Sequence, residues 1–296
     1  MNTRFVTDSA SDIDWKFAKK NKIKVIPLKV TYHNKTFLED EDFDFRKYYQ
    51  QFKEDEDFKP KTSQPSPLQY VKAYQELIKE GAKEIIVITI SSGLSGTYNS
   101  ATLAAKKIKE TNPEIKIHIV DSRNASYPEV FILERGMELA KEGLEAAEIA
   151  ERLRKYRELV RTFIYLDSLE FLHRGGRISL TKYWLAKLLR KKVIITVNKE
   201  GKNEAYTTVK SREEGLEKLI EAGTEKYTQF PRKVAIVHSD LSEKAKELKE
   251  KVKEKIPKAD RREVLTGTSI SAHTGPYAIA LIVDHGEKGV EEEKKK

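Results

Sequence analysis

A chain of 296 residues without cysteine has no disulfide staples, thiolate metal site or cysteine nucleophile, and is long enough for two α/β domains or one large one. Hydrophobic residues make up 39% and charged residues 35%, the balance of a folded protein with a heavily solvated surface, and no apolar stretch approaches membrane-spanning length. The net charge of +9 admits an anionic-membrane or acidic partner, but the lysines interleave with glutamates, as in "LSEKAKELKEKVKEK", which is a solvated helix face and not a stripe that tracks phosphates; no nucleic-acid partner is expected.

The N-terminus "MNTRFVTDSASD" lacks the apolar core of a secretory leader, and a cytoplasmic location is the simplest expectation. High Lys and Glu with 2 Met and no Cys fits a thermophile or a redesigned sequence. "TRFVTD" predicts a strand ending at Asp8 and Ser9, and "DIDWKFAKKNK" a helix. "IKVIPLKVTY" predicts two strands parted by Pro27, "HNKTF" a turn, and "DFDFRKYYQQFKE" a helix. After the loop "DFKPKTSQPSP" comes an amphipathic helix with Leu68, Val71, Tyr74, Leu77 and Ile78 on one face. The run "EIIVIT" predicts a buried strand, followed by the turn "ISSGLSGT" and a helix to about Glu110. "IKIHIVDSRNAS" predicts a strand ending at Asp121 and Ser122, and two helices follow. Alternating strands and helices predict a mostly parallel sheet covered on both faces, with ligands beyond the carboxyl ends of its strands.

Near residue 160 the pattern changes. A strand, a short helix and the glycine turn "HRGGRIS" precede the helix "LTKYWLAKLLRKK", two strands around "NKEGKN", a helix, the strand "RKVAIVHSD" and another helix. "REVLTGTSISAHTGPYAIALIVDH" predicts closing strands around a glycine turn. The expected organisation is an α/β domain over residues 1–160, a smaller α+β domain over 161–286 and a disordered charged tail over 287–296.

Four stretches carry candidate chemistry. At residues 91–97 a helix N-terminus with the hydroxyls of Ser92, Ser95 and Thr97, and with Gly93 and Gly96 baring the backbone, makes an anion cradle; a serine cap with turn glycines is the alternative. No P-loop lysine is present, which disfavours nucleoside triphosphates. In "KTSQPS" Ser66 caps a helix whose first turn holds Pro67, and Ser63 and Thr62 precede it; Thr62 has no capping task and is the better binding candidate. Arg174 and Arg177 around two glycines either clasp an anion or end a helix. His273 in "SAHTGP" is a polar candidate, but no histidine has metal-ligand spacing, so neither a metal nor a cofactor is expected.

Taken together, "VTDSASDI", "IPLKVTY", "KTSQPS", "ISSGLSGTYNSA", "VDS", "GGRIS" and "SAHTGP" resemble, in order and spacing up to about Leu281, the DegV family, and within it the lipid-binding subunits of bacterial fatty-acid kinase. The resemblance implies two α/β domains with a long-chain fatty acid between them. It implies a carboxylate held by Thr62 and Ser95 with His273 completing the polar network, supported by Asp8, Ser9, Ser63, Ser92, Gly93, Gly96 and Thr97. It also implies that Arg177, and Lys210 in place of a family arginine, face a separate ATP-dependent kinase that makes an acyl phosphate for phospholipid synthesis. Such a protein is no enzyme itself, and it meets membrane surfaces transiently. The sequence departs from the family at "YPEVF", where glycines are common, and at Tyr277. Two alternatives stand beside this reading: an enzyme for a small phosphorylated substrate, and a lipid-binding protein without a kinase.

Overall fold

The computed structural model describes residues 3–55, 57–178, 188, 191–224, 233–240 and 242–286. Ser179 of "GGRIS", most of "LTKYWLAKLLRKK" and the charged tail lie outside these residues. The chain divides into two units, Met1–Phe43 with Thr62–Arg157 and Asp44–Lys61 with Glu158–Lys296. A continuous domain over residues 1–160 does not anticipate that Asp44–Lys61 belongs with the second unit.

The first unit is built on a four-stranded sheet of β1 (Thr3–Asp8), β2 (Lys24–Ile26), β6 (Glu84–Thr89) and β7 (Lys116–Asp121), in the order β2-β1-β6-β7. All its pairings are parallel. Val6 lies level with Val87, and Thr89 with Asp121, so the carboxyl ends of β1, β6 and β7 form one polar edge. Between Glu84 and Thr89, residues 85–88 of β6 are all aliphatic and buried, as a strand covered on both faces requires. On one face Val6, Ile85 and Val87 pack with Tyr70, Tyr74, Ala101 and Ala104 of α3 (Pro67–Lys79) and α4 (Thr97–Thr111). On the other lie α5 (Pro128–Lys141) and α6 (Ala146–Tyr156). Gly136 of α5 sits so close that an added Cβ would lie 2.9 Å from the Phe5 ring and 3.0 Å from Leu153.

Helix α3 starts with a full capping box between Ser66 and Gln69 and has proline in its first turn. Its buried face is Tyr70, Ala73, Tyr74 and Leu77, while Leu68, expected in that face, is 62% exposed. Tyr70 and Ala73 join Tyr74 and Leu77 in the core, and Val71 and Ile78 pack half-buried against it. The sequence "HNKTF" is a tight turn and a strand: β3 (Lys29–Tyr32) and β4 (Lys35–Leu38) pair antiparallel around His33 and Asn34, which both have positive φ, 47° and 59°. Strand β5 (Lys61–Ser63) completes this small sheet in the order β4-β3-β5.

The second unit carries a six-stranded sheet. Its strands are β8 (Val160–Leu166), β9 (Lys192–Val197), β10 (Asn203–Val209), β11 (Lys233–His238), β12 (Asp260–Leu265) and β13 (Ile279–Asp284), in the order β10-β9-β8-β13-β11-β12. Only the β11–β12 pair is parallel. Phe163, Tyr165, Ile194, Ile236, Leu281 and Val283 form its core with α8 (Arg212–Thr224) and α9 (Ser242–Lys255). Helix α2 (Phe45–Glu54) belongs here because of its aromatic side chains: Phe52 meets Phe171 at 5.9 Å, and the Tyr49 hydroxyl donates to Thr266 O at 2.8 Å. The closing segment is more than strands around a turn. Helix α10 (Thr268–Thr274) runs between Gly267 and Gly275, with Thr268, Ser269, Ser271 and Ala272 buried. A heptapeptide with three β-branched residues and two serines has little intrinsic helicity; burial and the left-handed Gly275 (φ 82°) set its limits.

Candidate functional site

In the first unit the β6–α4 turn and the β5–α3 loop meet. The Gln64 amide donates to Ser100 Oγ at 3.0 Å, and it fills the space over Gly96, where an added Cβ would lie 2.0 Å from Gln64 Oε1. The "KTSQPS" loop, with Thr62 and Ser63, is thereby tied to the "LSGT" turn. The Ser95 and Thr97 hydroxyls share a hydrogen bond of 2.8 Å, and Thr97 N–H donates to Ser95 Oγ at 3.3 Å. Helix α4 begins at Gly96 with no side-chain cap and no acidic residue in its first turn. Its N–H groups beyond Thr97 keep their donor capacity and the positive end of the dipole. Residues 91–101 contain neither Lys nor Arg, so the turn offers a carboxylate neutral donors only.

The other polar residues of this edge are engaged by the scaffold. Asp8 is fully buried and accepts from Ala10 N at 3.1 Å and Ile90 N at 3.0 Å; burial, with repulsion from Glu39 and Asp12, pushes its pKa up to about 7 despite those two donors. Ser9 donates to Glu39 at 2.7 Å and accepts from Leu28 N at 2.9 Å. Ser92 binds Asp121 twice, through its N–H at 3.2 Å and its hydroxyl at 2.6 Å, while Gly93 N–H donates to Ser91 Oγ at 3.1 Å. These groups shape the turn.

In the second unit "GGRIS" and "SAHTGP" come together. His273 of α10 packs on the turn after α7 (Glu170–Arg174) so closely that a Cβ on Gly175 would lie 2.1 Å from its Nδ1. Burial, reinforced by Arg177 and Arg174, lowers the His273 pKa to about 4, so the ring is neutral at pH 7. Arg177 folds back on its own turn, donating from Nη1 to Gly175 O at 2.6 Å, and its carbonyl accepts from Asn203 at 3.0 Å. Lys210 is exposed just after β10.

Two residues escaped the sequence reading. Gln64 joins the two loops, and the signal was a long polar side chain beside a glycine-bearing turn. Glu129, in the first turn of α5, is 0% exposed, and both its oxygens lack a hydrogen-bond partner. Burial, with repulsion from Asp8, Asp12 and Asp121, pushes its carboxyl well above the usual range. The signal there was one acid inside "YPEVFIL". Residues 128–133 are all buried, so this stretch is filled by side chains where glycines would leave room.

Among known proteins, the chain matches the family described as "Uncharacterised protein, DegV family" over residues 2–285. A DegV domain-containing protein of Staphylococcus aureus (strain N315) is 33% identical over 279 residues, covering 94% of this chain and 97% of the relative. The fatty acid binding protein DegV from Bacillus subtilis has a TM-score of 0.87 and 26% identity, over 97% of this chain and 100% of that one. A DegV family protein from Eubacterium eligens, solved loaded with heptadecanoic acid, has a TM-score of 0.84 and 27% identity, over 96% of this chain and 100% of that one. A family match that spans nearly every residue, with sequence relatives and solved folds of full length, establishes that the chain belongs to the DegV family.

Proposed function

We propose that this protein binds a long-chain fatty acid and presents its carboxylate to a separate ATP-dependent kinase, which makes an acyl phosphate for phospholipid synthesis. The observation that carries the reading is the Ser95–Thr97 hydroxyl pair at an uncapped helix start, tied to the "KTSQPS" loop in a stretch without cations. The fatty acids bound by relatives of the same fold support it. Affinity comes from the tail: each buried methylene contributes about 0.8 kcal/mol. The head then needs only neutral donors, which leave the carboxylate reactive. Thr62 and Ser95 hold it, His273 completes the polar network as a neutral imidazole, and Arg177 and Lys210 face the kinase. The protein needs no cofactor, catalyses nothing alone, works in the cytoplasm and collects lipid in brief contacts with membrane surfaces.

Mass spectrometry of the organic extract after incubation with oleate tests lipid binding; no retained acyl chain refutes it. Thr62→Ala with Ser95→Ala is expected to weaken oleate binding about tenfold or more, as the loss of two hydrogen bonds to a charged group implies, and unchanged affinity refutes the head-group assignment. Acyl phosphate formed from kinase, ATP and the loaded protein, and lost with Arg177→Glu, tests the partner.

A further inference from the structure

The first unit also carries a groove of about 330 Å³ at the open edge of its four-stranded sheet, where β7 is the last strand. Lys106 and Lys109, one turn apart on α4, form one wall together with Tyr98, while Ile117 and Ile119 form the floor and Arg154 of α6 the far side. Neither lysine has an ion-pair partner among the described residues.

The backbone of β7 faces this groove. Lys116 N–H donates to Lys83 O at 3.0 Å and Ser122 N–H to Thr89 O at 3.1 Å, so its even-numbered residues bond to β6 and its odd-numbered ones point outward. Arg154 covers Ile119 O at 3.3 Å and Arg157 covers Asp121 O at 2.6 Å, which guards that end of the edge. The outward N–H and C=O of Ile117 and the N–H of Ile119 are not covered in this way.

We propose that this edge docks an acidic peptide segment in extended conformation, which adds a strand to β7 at Ile117 and Ile119 and sets its carboxylates against Lys106, Lys109 and Arg154. Strand addition draws affinity from main-chain hydrogen bonds and specificity from the flanking side chains. The cations select negative charge, and the half-buried isoleucines take small apolar side chains. A membrane surface would use the lysines but not the edge amides.

The test is fluorescence anisotropy with a fluorescein-labelled (Glu-Val)4 peptide on the full chain, with (Lys-Val)4 and (Glu-Pro)4 as controls. The prolines remove half the N–H donors of the added strand. (Glu-Val)4 is expected to bind and to slow amide exchange at Ile117 and Ile119. Lys106→Glu with Lys109→Glu is expected to weaken it about tenfold, as two rim contacts turned from attraction to repulsion imply, and Lys106→Gln with Lys109→Gln to weaken it less. All four substitutions are on exposed side chains, and oleate binding stays at wild type. Equal binding of (Glu-Pro)4, any comparable binding of (Lys-Val)4, unchanged affinity in the Glu variant, or displacement by phosphatidylglycerol vesicles with no change in exchange at Ile117 and Ile119 would each overturn the proposal.

Discussion

The most strongly shifted ionisable groups differ in kind between the two units, although Glu39 of the first and Asp284 of the second are buried carboxyls as well. The first encloses two carboxyls, Asp8 with its pKa near 7 and Glu129 well above the usual range; the second encloses imidazoles, His273 and His285, each lowered to about 4, and His238, also lowered. Desolvation by burial leads every one of these shifts, and each time it favours the neutral form. The consequences for stability therefore run in opposite directions. A carboxyl raised in the folded state contributes fully below its unfolded value of ~3.9, and that contribution is lost as pH rises through the folded value. An imidazole lowered in the folded state contributes fully above its unfolded value of ~6.5, and that contribution is lost as pH falls toward 4. One physical cause thus makes the first unit sensitive to base and the second to acid.

The largest expected effect tests this opposition directly. Hydrogen exchange resolved by peptide, corrected for intrinsic rates, is expected to show the second unit weakening as pH falls from 6.5 to 4 and the first unit weakening as pH rises from about 4 to 7, with on the order of 3 kcal/mol per shifted group across each window. His285→Gln is expected to flatten the loss on acidification in the second unit only, and Asp8→Asn the decline between about pH 4 and 7 in the first only. Parallel pH profiles in the two units would break the comparison.

Two glycine substitutions sharpen it at smaller cost. Gly175→Ala sets a methyl 2.1 Å from an imidazole atom and 3.2 Å from Phe171 O, in surroundings that yield little, and is expected to destabilise the second unit by about 1–3 kcal/mol in urea melts. Ser66→Ala removes the cap that joins "KTSQPS" to α3 and is expected to cost the first unit about 1 kcal/mol by the same measurement. Gly96→Ala meets only the flexible end of Gln64, at a helical φ of −74°, so its effect on stability is expected to stay within about 0.5 kcal/mol. It displaces Gln64 from Ser100, however, and isothermal titration with oleate is expected to show weaker binding. Wild-type affinity in Gly96→Ala would mean that the joined loops are mere scaffold.

Much of the fold was legible because the signals were local. "EIIVIT" between polar turns is a strand buried on both faces, and Ser66-Pro67 with Gln69 is a helix start; short-range sterics and capping decide both. The hydroxyl turn between β6 and α4 was legible for the same reason: Ser95, Gly96 and Thr97 are neighbours in sequence, and a strand-to-helix turn needs no distant partner. The helix Thr268–Thr274 was not legible, since a seven-residue run of mostly β-branched and small residues becomes helical only through what covers it. Nor was the transfer of Asp44–Lys61 to the second unit, which depends on aromatic contacts such as Phe52 with Phe171, far apart in the chain.

The sequence by itself determined the alternation of strands and helices, the helix caps and the cation-free hydroxyl turn, because periodicity, capping and φ preferences act within a few residues. Only the tertiary structure decided that Gln64 closes over Gly96, that Gly175 receives His273, and that Glu129 loses all access to water. Each of these depends on which surfaces meet, and burial, unlike hydropathy, is a property of the neighbours a residue acquires on folding.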